Sequence, residues 1–206
     1  MLRVGLTGTM GSGKSTVGRM LAARGAAVID TDELAREVTA PGTPGHAAIL
    51  AAFGPAVEGP AGHLDRRALA GIVFGDPEAL ARLEAIVHPL VGERVAARLQ
   101  AMAAPVAVVE VPLLDGERAR RYGLDRVVLV DSPPDLAAAR AGGRGFAADD
   151  VAARQQAQPG TAQRRELADR VVTNDGTPEQ LEAGVDELWA WLQAGAPRGP
   201  GPAGKT

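Results

Sequence analysis

The sequence predicts an α/β fold, a three-layer sandwich with a five-stranded parallel sheet between helices. Three observations predict it. Short apolar runs of the kind buried in parallel sheets alternate with segments of helical period along the 206 residues. The first run leads directly into Gly8-Thr9-Met10-Gly11-Ser12-Gly13-Lys14-Ser15, which fits G-x-x-x-x-G-K-[ST], the phosphate-binding P-loop. The second run leads into Asp30-Thr31-Asp32, acids placed where an open parallel sheet collects its ligands.

The elements follow in order. Residues 2–7 read as a short buried strand, and a helix starting about Gly13 runs to residue 24, where Gly25 ends it. Residues 27–29 form the second strand and 33–39 a helix, which the glycines and prolines of 41–45 break before a short helix at 46–53. Residues 54–62 read as a loop. Asp65 caps a helix carrying Leu69, Ile72, Val73 and Phe74. Asp76 and Pro77 open the next, which places Leu80, Leu83, Ile86 and Val87 on one face and continues past His88-Pro89 to about Met102. Residues 106–111 are a continuous apolar run, hence a central strand, ending at Pro112-Leu113-Leu114. The fourth strand is 126–131, and a helix follows at 134–140. From 141 to about 165 the chain turns polar and arginine-rich (Arg144, Arg154, Arg164, Arg165), as a lid over phosphates would. A short fifth strand at 171–172 leads to Asn174-Asp175-Gly176. Thr177 then caps a last helix with Leu181, Val185, Leu188, Trp189 and Leu192 on its apolar face, Trp191 being exposed.

This gives one domain over residues 1–194, with a helical insertion at about 40–100 and a lid at about 141–165, then a Gly/Pro/Ala tail at 195–206 expected to be disordered. With no cysteine, disulfides and thiolate metal sites are excluded. A formal charge of −3 supplies no basic field for nucleic acid, and no run of 18 apolar residues exists to cross a membrane. The amino terminus enters the first strand directly, with no room for a signal peptide, so a cytoplasmic soluble protein is expected. His46 and His63 lack metal-ligand spacing and are expected in solvent.

The glycines of the loop turn the backbone so that its N–H groups form a nest for anionic oxygens. Lys14 brings a mobile charge to the β- and γ-phosphates, Ser15 offers a hydroxyl to Mg²⁺, and the helix aims its positive end at the same anion. A triphosphate is therefore bound. A GTPase would need Asn-Lys-x-Asp where this chain has Thr173-Asn174-Asp175-Gly176, and a mechanical ATPase would need paired acids after a strand, where only Glu110 stands, followed by Val-Pro. Asp30 and Asp32 with an arginine-rich lid supply what a small-molecule kinase uses: a carboxylate for the acceptor hydroxyl and cations for the moving phosphoryl.

From Leu6 to about Leu192 the chain resembles the dephospho-CoA kinase family, P-loop small-molecule kinases of coenzyme A biosynthesis. The blocks that carry the resemblance are Leu6 to Val17, Val28-Ile29-Asp30-Thr31-Asp32 with Ala35-Arg36 and Pro41-Gly42-x-Pro44, Phe53-Gly54, and Leu64-Asp65-Arg66. Val73-Phe74, Ile86-Val87-His88-Pro89, Val111-Pro112-Leu113-Leu114, Asp125-Arg126-Val127, Ala168-Asp169 and Asn174-x-Gly176 follow in family order. The resemblance implies transfer of the γ-phosphate of ATP to the ribose 3′-hydroxyl of dephospho-CoA. It implies Asp32 as the group accepting the hydroxyl proton, Lys14 and Arg140 as catalytic cations, and Mg²⁺ on Ser15. ATP would be held by Gly8, Met10, Gly11, Ser12, Gly13, Lys14, Ser15, Thr16, Arg140 and Arg144, with Asn174 and Gly176 at the adenine. Asp32, Arg66, His88, Pro112 and Leu113 would line the acceptor site, with no nucleic-acid or membrane partner and a monomer favoured. The chain departs from the family pattern at Thr9, commonly glycine, at Gly145, commonly aspartate, at Thr161, commonly arginine, and at Glu84, commonly asparagine. Bland readings stand beside these: Asp32 and Asp30 also suit helix capping, Arg140 a helix end, His88 a buried ring, Arg66 a local ion pair, and Asn174 a turn. Shikimate kinase, with a similar loop and Asp-x-Asp, is the nearest enzyme alternative, and a nucleotide-gated binding module the alternative of another class.

Overall fold

The computed structural model describes residues 1–112, 114–142 and 161–195. Its five strands are β1 (Leu2–Gly8), β2 (Ala27–Asp30), β3 (Val106–Glu110), β4 (Arg126–Asp131) and β5 (Arg170–Thr173), all parallel, in the order β2-β3-β1-β4-β5. β3 is buried at every position and β1 at its last five, so both carry continuous apolar runs rather than an alternation. The register aligns the carboxyl ends along one edge: Asp30 and Leu6 lie beside Glu110, Gly8 beside Val130, and Asp131 beside Thr173. After β1 the chain crosses toward β2, and after β3 it crosses toward β4. These neighbours send their connections in opposite directions, which opens the ligand crevice of a doubly wound sheet at their carboxyl ends.

The described helices are α1 (Lys14–Ala23), α2 (Thr31–Val38), α3 (Pro44–Phe53), α4 (Arg66–Val73), α5 (Pro77–Ala101), α6 (Gly116–Arg121), α7 (Pro134–Gly142), α8 (Thr161–Leu167) and α9 (Pro178–Gln193). The chain divides into two units. One comprises Met1–Asp30 with everything from Ala101 onward, and the other is Thr31–Gln100. In the first, Val4, Leu6, Val108, Val128 and Val130 of the sheet pack with Val17 and Leu21 of α1 and with Val185 and Leu188 of α9. Each such side chain taken from water contributes roughly 1.5–3 kcal/mol. In the second, Ile49 of α3, Leu69 and Val73 of α4 and Ala79 of α5 enclose Val57, with Leu83, Ile86 and Val87 packed around them.

Several elements differ from the sequence expectation. α2 begins at Thr31 with no loop after β2, so Asp32 stands in its first turn. Pro44, expected to break a helix, sits at the first position of α3 behind Thr43, whose hydroxyl accepts the His46 N–H at 3.2 Å. The expected loop at 54–62 contains two 3-10 turns, Pro55–Val57 and Pro60–Gly62. α5, by contrast, continues past Pro89 to Ala101 as expected. The six-residue α6 was not expected; Asp115 caps it by accepting the Arg118 N–H at 2.7 Å. His46, expected in solvent, is buried, and its Nε2 finds no partner among the described residues; His63 is exposed. Trp191, expected to be exposed, packs partly against the core, with the Arg170 guanidinium 5.7 Å over its ring. Leu113, residues 143–160 of the expected lid with Arg144 and Arg154, and residues 196–206 of the tail lie outside the described residues.

Candidate active site

β1 delivers the chain to the glycine-rich loop and α1 carries it away. The Ser12 N–H donates to Thr9 O at 3.0 Å, and the N–H groups of Thr16 and Val17 donate to Gly13 O at 2.9 and 3.0 Å, closing the first turn of α1. Gly13 caps the helix in the left-handed region at φ 95°, a conformation that side chains with a Cβ rarely adopt. Lys14 and the exposed Ser15 therefore occupy the amino-terminal turn of α1, where main-chain N–H groups lack helical acceptors and the helix dipole is positive.

The Lys14 ammonium donates to Glu110 Oε2 at 2.8 Å, with side chains 12% and 5% exposed. Glu110 ends β3, the neighbour of β1, so the crevice places an anion against the loop lysine. The fit depends on a glycine one turn further along α1: a Cβ on Gly18 would lie 1.9 Å from Glu110 Oε1. The sequence gives Glu110 no place at the site, because it stands alone before Val-Pro; the strand register is what brings it to Lys14.

On the opposite flank, Asn174 follows β5. Its buried side-chain amide donates to Ser12 O at 2.7 Å, and its own carbonyl accepts from Ser132 Oγ at 2.9 Å and from Arg140 Nη1 at 3.0 Å. Arg140 Nη1 also donates to Ser132 Oγ at 3.2 Å. Asp131, ending β4, pairs with Arg165 of α8. Arg164 beside it is buried; burial lowers its pKa and the Asp131 charge opposes that shift. Pro112, just after β3, offers its carbonyl to Thr7 Oγ1 at 3.5 Å, and Gly176 precedes the α9 cap at Thr177.

The unit Thr31–Gln100 holds a separate cavity of about 230 Å³, walled by Ile49, Leu64, Leu69 and Val87 and rimmed by Arg66, Glu84 and His88. Arg66 donates to Thr39 Oγ1 at 3.2 Å, and His88 Nε2 lies 3.6 Å from Glu84 Oε1, one turn back on α5. Burial, with the Arg36 charge adding to it, lowers the Arg66 pKa, although the residue as a whole remains exposed. Ala35 and Thr39 also line the cavity. Asp32, in the first turn of α2, is exposed and is not among the residues lining this cavity.

A family model described as dephospho-CoA kinase matches residues 2–180. The chain belongs to the dephospho-CoA kinase family. A dephospho-CoA kinase from Thermobifida fusca is 50% identical over 196 residues, covering 94% of this chain and 97% of that one. A crystal structure of a Thermus thermophilus protein superimposes with a TM-score of 0.77 at 37% identity, over 93% of this chain and 97% of that one. A shikimate kinase from Acinetobacter baumannii shares the fold alone, with a TM-score of 0.56 at 17% identity over 94% of each chain. Membership decides between the two kinase readings: the chain is an ATP-dependent kinase of the dephospho-CoA kinase family and not a shikimate kinase. Among residues expected at the site, the sheet unit brings together the loop, Lys14, Arg140 and Asn174, and the helical unit brings Arg66 and His88 onto one cavity, which Asp32 does not line. Leu113 and Arg144 lie outside the described residues.

Proposed function

We propose that this chain transfers the γ-phosphate of ATP to the ribose 3′-hydroxyl of dephospho-CoA, with the loop unit holding ATP and the unit 31–100 holding the acceptor. One observation carries the reading: in a chain of this family, the glycine loop opens α1 with Lys14 held at 2.8 Å by a buried acid of the neighbouring strand. The Lys14 ammonium has three donors; Glu110 takes one and the others serve the β- and γ-phosphate oxygens. The N–H groups of Gly11, Gly13, Lys14 and Ser15 supply the rest of the cradle, with Gly8 and Met10 shaping its entrance and Thr16, whose N–H closes the first turn of α1, beside it.

Asp32 is exposed and follows β2 by two residues. In the proposed step its carboxylate takes the proton of the 3′-hydroxyl as that oxygen bonds to the γ-phosphorus. The bond from phosphorus to the β,γ-bridging oxygen breaks, and ADP leaves with that electron pair. Arg140 spends one nitrogen on Asn174 O and Ser132, and its remaining N–H donors face the charge on the transferred group. The family resemblance assigns Arg144, outside the described residues, to the same phosphates. Asn174 and Gly176 sit at the adenine. The cavity rimmed by Arg66 and His88 takes the acceptor: apolar walls suit an alkyl amide arm and Arg66 suits a phosphate. The family resemblance also assigns Pro112 and Leu113 to the acceptor.

Mg²⁺ fits the donor set. Among the described residues no three His, Asp or Glu side chains gather as a metal site. An ion that takes most of its ligands from phosphate and water needs only a hard oxygen such as the exposed Ser15 hydroxyl. When bound, Mg²⁺ neutralises charge on the β- and γ-phosphates. No helix among the described residues is long and apolar enough to cross a membrane, and we place the enzyme in the cytoplasm as a monomer without a nucleic-acid partner.

The test follows ADP release from Mg-ATP with dephospho-CoA, with shikimate, or with no acceptor. ADP formed only with dephospho-CoA, together with a product of coenzyme A mass, is expected; release independent of any acceptor would overturn the reading in favour of a nucleotide-gated module. Asp32→Asn is expected to bind ATP normally and to lose roughly 10²–10⁴-fold in turnover, the range of a general base.

A further inference from the structure

We infer that Asn174 is the positioning residue of the phosphate loop: its side-chain amide sets the Ser12–Gly13 peptide so that the Gly13 N–H faces the triphosphate, and Arg140 holds Asn174 in place. This rests on the kinase reading and goes beyond the adenine contact assigned to Asn174 there.

The argument begins with one peptide plane. Asn174 Nδ2 donates to Ser12 O at 2.7 Å, and both residues are buried. The chain has no cis peptide among its described residues, so the Ser12 carbonyl and the Gly13 N–H point to opposite sides of their plane. Holding the carbonyl toward β5 therefore turns the N–H away from β5. Gly13 is the residue whose carbonyl starts α1 through Thr16 and Val17, so the orientation of this peptide is carried into the first helical turn.

The contact is close enough to be selective. A Cβ on Gly13 would lie 2.2 Å from Asn174 Nδ2, so the amide occupies the space that glycine leaves open. With φ at 95°, Gly13 has two independent reasons to be glycine. A glycine peptide is also the one most free to rotate, which is why it needs an external anchor to present its N–H in one direction.

Asn174 is itself anchored on three sides. Its N–H donates to Asp131 O at 2.7 Å, and its carbonyl accepts from Ser132 Oγ at 2.9 Å and Arg140 Nη1 at 3.0 Å. Arg140 lies near the end of α7, where the chain passes toward the residues assigned as the lid. One guanidinium thus carries a contact that reaches the phosphate loop through a single intervening residue. Reading the adenine would need only the edge of Asn174. Setting the loop needs its amide buried against Ser12, and that is where the amide is.

The experiment uses the full-length chain and a ligand without a base. Inorganic tripolyphosphate and ATP are titrated calorimetrically into wild type and Asn174→Leu, a neutral side chain of similar size that lacks the donor. Both ligands are expected to weaken by the same factor, roughly tenfold for the loss of a hydrogen bond that orients a phosphate donor. The ATP KM should rise by a similar factor while the dephospho-CoA KM stays unchanged. Tripolyphosphate binding equal to wild type would overturn the inference, and weaker ATP with unaltered tripolyphosphate would return Asn174 to a base contact. A fall in kcat with an unchanged ATP KM would reduce its role to folding and overturn the inference as well. If Asn174→Leu does not fold, Asn174→Ala is read by the same criteria. Failure of wild type to bind either ligand would instead sink the kinase reading.

Discussion

Gly18 and Glu110 compete for one volume. A Cβ on Gly18 would meet Glu110 Oε1 at 1.9 Å, and the same carboxylate holds Lys14 one turn earlier on α1. In an ordinary helix interior, Gly→Ala stabilises by roughly 0.5–1 kcal/mol. Here the alanine must push a buried acid off a buried ammonium, and overpacking of that kind costs roughly 1–3 kcal/mol. Gly18→Ala is therefore expected to destabilise wild type and to stabilise a Glu110→Ala background. Urea unfolding of the four proteins in the cycle reads this reversal of sign; additive effects across the cycle would show that the two residues do not share the space. Lys14 and Ser15 were legible because the loop pattern fixes their chemistry by spacing. Glu110 and the Asn174 amide were not, since each acts on a residue roughly a hundred or more positions away in sequence, and only strand register brings the partners together. The family resemblance marks Asn174 for the adenine; its Ser12 partner follows from the fold.

Helix starts were the most legible elements, because a cap is a local bargain between one side chain and two or three backbone N–H groups. Asp65 accepts from Arg67 and Ala68 at 3.0 and 2.9 Å, and Asp76 from Glu78 and Ala79 at 2.8 and 3.1 Å, as their sequence positions implied. Thr177 goes further: it caps Gln180, whose side chain returns to the Thr177 N–H at 2.8 Å, a reciprocal capping box. Because α9 presents Leu181, Val185, Leu188 and Leu192 to the core of the sheet unit, loosening its first turn is felt by the whole unit. Thr177→Ala is expected to lower unfolding stability by about 1 kcal/mol with the denaturant slope unchanged, and Thr177→Ser to recover most of it. A loss below about 0.5 kcal/mol, the lower end of what such caps contribute, would mean that burial alone holds the helix in register. Where local signals misled, a tertiary or competing local term had won. Pro44 reads as a breaker until Thr43 makes it a first helical residue, and His46 reads as polar until Ile49 draws α3 inward. The short α6 carries too few apolar residues to show a period.

At the scale of the whole molecule, the proposed assignment of ATP to one unit and of the acceptor to the other is testable without catalysis. The loop, Lys14, Glu110 and Asn174 belong to the unit containing the sheet, while the cavity with Arg66 and His88 belongs to Thr31–Gln100. A ligand that binds only the folded state stabilises it by RT ln(1 + [L]/Kd), about 2.7 kcal/mol at a hundredfold excess over Kd. For a chain of this length that is a rise in melting temperature of roughly 5–10 °C. Wild type is expected to show such a rise with Mg-ATP and, separately, with dephospho-CoA. Arg66→Ala removes an exposed side chain that donates to Thr39 Oγ1, so it should unfold within about 0.5 kcal/mol of wild type. It should keep the rise with Mg-ATP and lose most of the rise with dephospho-CoA. Ser15→Ala, an exposed hydroxyl at the start of α1, should do the reverse, keeping the acceptor rise and losing part of the nucleotide rise. If Arg66→Ala responded to dephospho-CoA as wild type does, the cavity of the helical unit would not be the acceptor site. The apolar walls around Val57 would then be only the core of a small helical unit, and the acceptor would have to be held by residues of the sheet unit instead.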